Sequence, residues 1–397
     1  MIQTISVKGF KSIRELDLEL GQVNVFVGAN GSGKSNFLEA LGMLSAAAGG
    51  RVDDQALVRR GVRPGVPALY KSSHAGKSDF RFITFSATWK ALEEEDTYSV
   101  ELDNVLQEPK PAWLYHSERV LLGSDQYAKR TDYAARTPSD TGLALWLRAS
   151  GEFRKGSVDL LSVLEDFAIF AAATPILRGT APDPAPRVPV GLFGGQLAEA
   201  VEDLLDLNTQ RFGSVELDEV LELLDWVADL SVAPPSREII SPNVPSTRLI
   251  VRFRDAWMRK ERNILSGYDA SEGALYVLFA LVLALHPKAP RLLAIDNFDQ
   301  AMHPLLARAL TKLLCEQVLA SENRRQILLT THNPMVLDGL NLRDERIRLF
   351  AVDRREGMTQ IKRIRVTESL LQDLEQKHVT LSELWIMGRL GGVPKLL

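Results

Sequence analysis

Gly28-Ala29-Asn30-Gly31-Ser32-Gly33-Lys34-Ser35 is the stretch that decides the fold. It satisfies the pattern G-x-x-x-x-G-K-[ST] at every fixed position. Before it runs Val23-Asn24-Val25-Phe26-Val27, a β-branched and aromatic segment of the kind that makes a buried strand. After it, Asn36-Phe37-Leu38-Glu39-Ala40-Leu41 opens a helical pattern. A glycine turn with a chance Lys-Ser would lack these flanks. Strand, glycine loop and helix form the arrangement a phosphate needs, because glycines let backbone N–H groups curl around its oxygens and a helix N-terminus adds partial positive charge. In this reading Asn30, Gly31, Ser32 and Gly33 line the loop, Lys34 reaches the β- and γ-phosphates of ATP, and Ser35 ligates Mg²⁺.

The rest of the composition bounds the class. The chain has 397 residues, 45% of them hydrophobic and 25% charged, as in a globular protein with room for a large domain and an insertion. A net charge of −4 gives no global basic field toward nucleic acid. One cysteine, Cys315, excludes an internal disulfide and a cysteine-rich metal site, and it reads as a small buried apolar residue in a helix. A reducing, cytoplasmic setting is expected. The N-terminus enters strand-like alternation directly, without a signal-peptide pattern, and the longest apolar run, Ala274 to Leu285, is too short to span a bilayer. The six histidines show no metal-ligand spacing.

Periodicity divides the chain into three parts. Residues 1–139 read as strands around the phosphate loop, with strand signals at Ile2–Val7, Ile13–Leu20, Phe80–Trp89 and Tyr98–Leu102. Residues 140–240 read as a helical insertion, an arm or lid, with helical spacing over Ser157–Phe170, Gln196–Leu207 and Val215–Leu230. Residues 241–397 return to α/β alternation. The fold class expected is α/β, a phosphate-loop NTPase with an interrupting insertion.

Three further motifs carry chemistry. Leu292-Leu293-Ala294-Ile295-Asp296 is an apolar strand that ends in an acid and can present one carboxylate to a Mg²⁺ shell. Ile327 to Thr331 is an apolar strand ending at His332, which can hydrogen-bond a γ-phosphate. Ser271-Glu272-Gly273 opens the long helix that follows, and its hydroxyl and free N–H groups suit an anion as well as a plain N-cap. Leu265-Ser266-Gly267 competes for that role, but a turn, Tyr268-Asp269, follows it.

In this order the motifs GANGSGKS, Ser271-Glu272-Gly273, LLAIDNFDQAMHP and LLTTHNP resemble the ABC-type ATPase heads of the SMC/RecF/OLD group, and most closely the stand-alone AAA-type ATPases of prokaryotic defence and repair operons. The opening MIQTISVKGFKSIRELDLEL and the tail from Leu381 to Pro394 are similar to that group as well. The resemblance covers about 1–50 and 247–397 and implies an SMC-like topology. It implies a head-to-tail dimer, or a higher homo-oligomer, in which Lys34, Ser35, Asp296 and His332 act on the nucleotide in cis and Ser271 and Gly273 in trans. It also implies ATP as dimer glue, hydrolysis as release, and a role in defence against phage or foreign DNA through a nuclease-type effector in another chain. After His332 only 65 residues remain, too few for a nuclease domain of the OLD kind.

One position departs from that pattern. The residue after the acid is usually a glutamate that polarises the attacking water; here it is Asn297, which can orient a water but cannot accept its proton. Three readings stand: a slow, ATP-bound switch; Asp299 or another acid as base; or a structural, inactive ATPase. Lys11-Ser12 sits in a turn that approaches the nucleotide in such heads. Arg346, Arg348, Arg354, Arg355, Lys362, Arg363 and Arg365 make either a solvated face or a contact to nucleic acid or a nuclease partner. Trp226, Trp257 and Trp385 read as core or interface aromatics, not as base-stacking platforms. The expected function is a slowly hydrolysing ATPase whose dimerisation controls an effector. The rivals are a repair ATPase that clamps DNA, and a non-enzymatic ATP-bound scaffold; no membrane partner is expected.

Overall fold

The computed structural model describes residues 1–91, 94–123, 125–133, 137–149, 157–244, 248–365 and 379–392. Two six-stranded sheets carry the fold. The first is antiparallel, in the order β2 (Ile13–Glu19), β1 (Ile2–Phe10), β4 (Ile83–Ala91), β5 (Glu94–Asp103), β6 (Leu114–Leu122), β7 (Asp125–Lys129). The second runs β18 (Met358–Ile364), β17 (Ile347–Arg355), β3 (Val23–Val27), β16 (Gln326–Thr331), β15 (Leu292–Ile295), β8 (Ala168–Phe170). From β17 to β8 its pairings are parallel, and β18 closes one side antiparallel.

The parallel sheet is covered on both faces, which is why its strands read as unbroken apolar runs. All five residues of β3 are buried. Val23, Val25 and Val27 face a core built with the helices Glu272–Leu285 and Pro304–Ala320. Phe26 faces the other way, into a core shared with the helix Lys34–Ala48 and the antiparallel sheet. There it stacks on Phe350 at 4.9 Å and meets Phe37 at 5.1 Å. The helix Lys34–Ala48 is thus sandwiched between the two sheets, and it is buried continuously from Phe37 to Ala48.

The segment 140–240, expected as helical, is mixed. Helices Leu143–Ala149, Ser157–Glu165, Thr174–Leu177, Leu197–Leu204 and Leu217–Leu223 alternate with strands. Phe167 to Phe170, which fits a helical stripe as well as a buried strand, leaves the helix and joins the parallel sheet as β8, with Leu293 opposite Ala168. The helical pattern over Val215–Leu230 splits into a short strand, one helix and another strand. Small strands β9 (Leu205–Asp206), β10 (Arg211–Phe212) and β11 (Val215–Glu216) form one sheet, and β12 (Val227–Ala233), β13 (Ile250–Asp255) and β14 (Ile264–Ser266) another. Period-3.6 spacing over short windows does not separate such pieces, because pairing partners decide them. Among the described residues no helix is long and apolar enough to cross a membrane. Val393-Pro394 of the tail lies outside the described residues.

Candidate functional site

Three neighbouring parallel strands, β3, β16 and β15, end at the same edge of the sheet. Val27 pairs with Thr331, and Leu329 with Ile295. The loop from Gly28, the residue His332 and the acid Asp296 therefore leave the sheet side by side, at strand spacings of about 4.8 Å. This is the carboxyl-end crevice where α/β sheets bind ligands.

The loop has the backbone its sequence requires. Gly31 and Gly33 have φ of 75° and 108°, in the left-handed region. A Cβ on Gly33 would come 1.9 Å from Thr359 Oγ1, and one on Gly28 would come 2.4 Å from Val352 O. Gly33 caps the helix beginning at Lys34, and Asn30 and Gly31 are exposed at the loop's crest. Ser32 Oγ is buried without a hydrogen-bond partner. Lys34 donates to the carbonyls of Gly28 at 2.6 Å and Ala29 at 3.0 Å. Burial lowers its pKa from the ordinary lysine value, against the opposing pull of Asp296 and Asp299. Ser35 follows Lys34 in the first turn, half-buried.

Asp296 is fixed from β16. Thr330 Oγ1 donates to Asp296 Oδ1 at 2.5 Å and accepts the Asn297 N–H at 2.9 Å, so one fully buried hydroxyl orients the acid and the turn after it. Asn297 is exposed and has φ of 53°, in the left-handed region that asparagine tolerates better than most residues. Asp299 is buried; its Oδ2 lies 3.4 Å from His332 Nδ1, and its Oδ1 has no partner. The His332 ring is half exposed.

Ser271 N-caps the helix Glu272–Leu285, accepting the Ala274 N–H at 3.3 Å, and is exposed. Its hydroxyl bonds none of the described phosphate-loop residues. A Cβ on Gly273 would sit 3.2 Å from Ala301 O, so this helix start packs on the loop that follows Asp296. Ser266 of the competing triplet is buried, and its hydroxyl donates to Asp269 Oδ2 at 2.8 Å within the turn.

Lys11 (φ 46°) points at Glu39 on the loop helix, which Arg63 also holds, with Arg63 Nε 2.6 Å from Glu39 Oε1. Burial pushes the Glu39 carboxyl up, but hydrogen bonds and charge from Arg63 and Lys11 outweigh it and hold it below the usual range. Beside this trio lies a cleft of about 770 Å³, bounded by Lys11, Ser12, Asn36, Tyr70, His74 and Arg354.

Several residues that shape the loop carry no local motif. Thr359 of β18 donates to Ser32 O at 2.9 Å and meets Ser12 Oγ at 2.7 Å. Asp353 accepts the Gly392 N–H at 2.9 Å, and Gly392 O accepts the Ala29 N–H at 3.0 Å. The hairpin of β17 and β18 and the tail are thus bonded to the loop. Its basic residues are mostly engaged: Arg346 with Asp344, Arg348 with Glu19, Arg363 with Glu345, and Arg354 with Gly357 O. Trp385 is buried and Trp226 packs against the core. Trp257, expected in a core or an interface, is 85% exposed at the tip of the β13–β14 hairpin.

Two family models match the chain. Residues 1–97 match "AAA ATPase domain" and residues 195–338 match "AAA domain, putative AbiEii toxin, Type IV TA system". The DNA replication and repair protein RecF of Corynebacterium jeikeium is 44% identical over 62 residues, 15% of each chain. RecF of Clavibacter sepedonicus is 41% identical over 80 residues, 19% of each chain. An uncharacterized protein of Methanocaldococcus jannaschii is 52% identical over 48 residues, 12% of this chain and 22% of that one. The aligned stretches are thus less than a quarter of these relatives. An SMC head solved with the C-winged helix domain of ScpA superposes with a TM-score of 0.56 at 12% identity, covering 93% of this chain and 99% of that one. An Smc head with an extended coiled coil, bound to the C-terminal domain of ScpA and derived from Pyrococcus furiosus, gives 0.53 at 12%, covering 95% and 99%. Likeness at that identity establishes the fold, that of an SMC-type ATPase head, and over the matched stretches the chain is similar to AAA-type ATPase domains and to RecF.

Proposed function

We propose that this protein binds Mg²⁺–ATP at the loop 28–35 and hydrolyses it slowly, and that bound ATP joins two copies head to tail. The observation that carries the reading is the shared edge of β3, β16 and β15, which sets Lys34, His332 and Asp296 in one crevice. The residues present fit the nucleotide and its metal: Ser32 Oγ and Asp299 Oδ1 are buried without partners, and the loop is shaped by glycines at positive φ. Ser35 and Asp296 would hold Mg²⁺, which neutralises phosphate charge when bound. Lys34 takes the β- and γ-phosphate oxygens, and His332, steadied by Asp299, takes the γ-phosphate. Asn297 orients water without accepting its proton, which makes cleavage slow. Ser271 and Gly273, exposed and half-buried at their helix start, serve the nucleotide of the opposite copy. Lys11, on the turn beside the loop helix, adds a positive charge toward the nucleotide.

In this reading residues 1–139 and 241–397 carry most of the head, residues 140–240 complete its parallel sheet with β8 and pair with it through β12 instead of forming a separate insertion, and the setting is cytoplasmic. The match to a family described by an AbiEii-type toxin supports a role in defence, with an effector supplied by another chain. The RecF stretches support the alternative, a repair ATPase. Light scattering with ATP, with ADP and without nucleotide tests the core of the proposal. Mass should double with ATP alone, and neither Lys34→Ala nor Ser271→Arg should dimerise. A wild type that stays monomeric with saturating ATP sinks the dimer, and one that binds no ATP sinks the whole reading.

A further inference from the structure

The β13–β14 hairpin has a built tip. Asp255 Oδ1 accepts the N–H groups of Trp257 at 2.7 Å and Met258 at 2.8 Å, and Asn263 Nδ2 donates to Asp255 O at 3.3 Å. This turn holds up Trp257, 85% exposed, with Met258 at 42% beside it. Arg259, Lys260 and Arg262 follow, all exposed and none ion-paired with a described residue. Nearby acids are few or engaged: Asp255 serves the turn, Asp229 pairs with Arg254 at 3.0 Å, and Glu261 and Asp225 are exposed. Trp257 and Met258 thus present an exposed apolar face, followed in sequence by three exposed cations, and a partner that carries both flat rings and anions complements that pairing.

We infer that this tip is a single-stranded nucleic-acid contact, in which Trp257 stacks on an unpaired base and Arg259, Lys260 and Arg262 take flanking phosphates. The chemistry selects that partner. An exposed ring with exposed cations in the residues that follow it suits a chain that alternates flat bases with anions, whereas a paired duplex hides its base faces. The chain's net charge of −4 makes the local cluster the attraction, not a global field. The hairpin also leads directly to the composite site: β14 ends at Ser266, and the turn through Asp269 and Ala270 delivers Ser271. A strand held at the tip is therefore placed to bias the helix start that the proposed function assigns to the second ATP. This last step rests on that function; the contact itself does not.

The test is fluorescence anisotropy of a labelled oligothymidylate of about 20 nucleotides, titrated with full-length protein without ATP, so that failure of the ATPase reading leaves it intact. Binding should weaken with salt, with a log–log slope of about −2 for three cations at ~0.7 each. Trp257→Ala should lose about 5- to 100-fold, and Trp257→Phe should keep most of the affinity. Replacing Arg259, Lys260 and Arg262 together by Gln should flatten the slope. Because the tip is exposed, all variants should melt like the wild type. Unchanged affinity in Trp257→Ala overturns the inference. So does equal, Trp257-independent binding of a duplex, or Trp257-dependent binding to phosphatidylserine vesicles without affinity for the oligonucleotide.

Discussion

Replacing Asn297 by glutamate separates backbone from chemistry at the position where the sequence departs from its group. The residue is exposed, so a longer side chain meets no wall. Its φ of 53° is the obstacle, since the left-handed region costs an ordinary residue about 1 kcal/mol more than it costs asparagine. Asn297→Glu should therefore lower the free energy of unfolding by about 1 kcal/mol, read from denaturant midpoints. Asn297→Gly, which suits the same φ, should be as stable as the wild type or slightly more so. Chemistry moves the other way. A general base beside Asp296 contributes about 10²- to 10⁴-fold, or roughly 3–5 kcal/mol of barrier. Single-turnover hydrolysis with enzyme in excess should accelerate at least 100-fold or so in Asn297→Glu and not at all in Asn297→Gly. A glutamate variant no faster than the wild type at equal nucleotide occupancy refutes the reasoning. It would mean that another acid, Asp299 first, already serves as base, or that the site never cleaves.

Gly33→Ala sets a Cβ 1.9 Å from Thr359 Oγ1 at φ 108°; calorimetry should show no ATP binding and denaturation a loss of about 2 kcal/mol, partly restored by Thr359→Gly. Asp353→Ala frees the Gly392 N–H and should weaken ATP binding by about 1 kcal/mol, although Asp353 bonds the tail and not the phosphate loop. Glu118 is fully buried, takes hydrogen bonds from Tyr98 and the Leu143 N–H, and lies 3.5 Å from Arg130; burial pushes its carboxyl from 4.5 up to about 7. The folded state thus keeps a proton that the unfolded chain releases. Its stabilising share is complete below pH 4.5 and is lost as pH rises through 7, on the order of 3 kcal/mol. Glu118→Gln should flatten that slope in denaturation at pH 5 to 8, and an unchanged slope refutes the assignment. Cys315 is buried and its thiol is pushed up to about 12, so a thiol reagent should label the protein only after denaturation.

The parts of this fold that were legible in the sequence are those whose physics is local. A strand buried on both faces has to be apolar, and a phosphate loop has to carry glycine at fixed places, so β3, β15, β16 and their terminal residues could be read directly. What failed was whatever a distant partner decides. Phe167 to Phe170 has the same apolarity as helix or strand, and only the free edge of β15 selects the strand. Trp257, read as a core or an interface aromatic, is exposed, which removes the core half of that reading. The Asp255 turn holds it at the end of β13, beyond the last residue paired with β12.

The same distinction bears on how the site works. Lys34 and the glycines supply the loop's chemistry, but its shape is held by Thr359 and Gly392, more than three hundred residues further on. β17 brings both within reach, since it pairs with β3 on one side and β18 on the other. A carbonyl of the tail accepting the Ala29 N–H, and a hydroxyl of β18 bonded to Ser32 O, make the loop's conformation a property of the whole second half of the chain. If the loop binds nucleotide as proposed, a movement of the tail or the β17–β18 hairpin acts on it without touching its motif, and by linkage the bound nucleotide acts back on the tail with the same free energy. The motif names the ligand, and the distant segments set how firmly the loop is prepared for it.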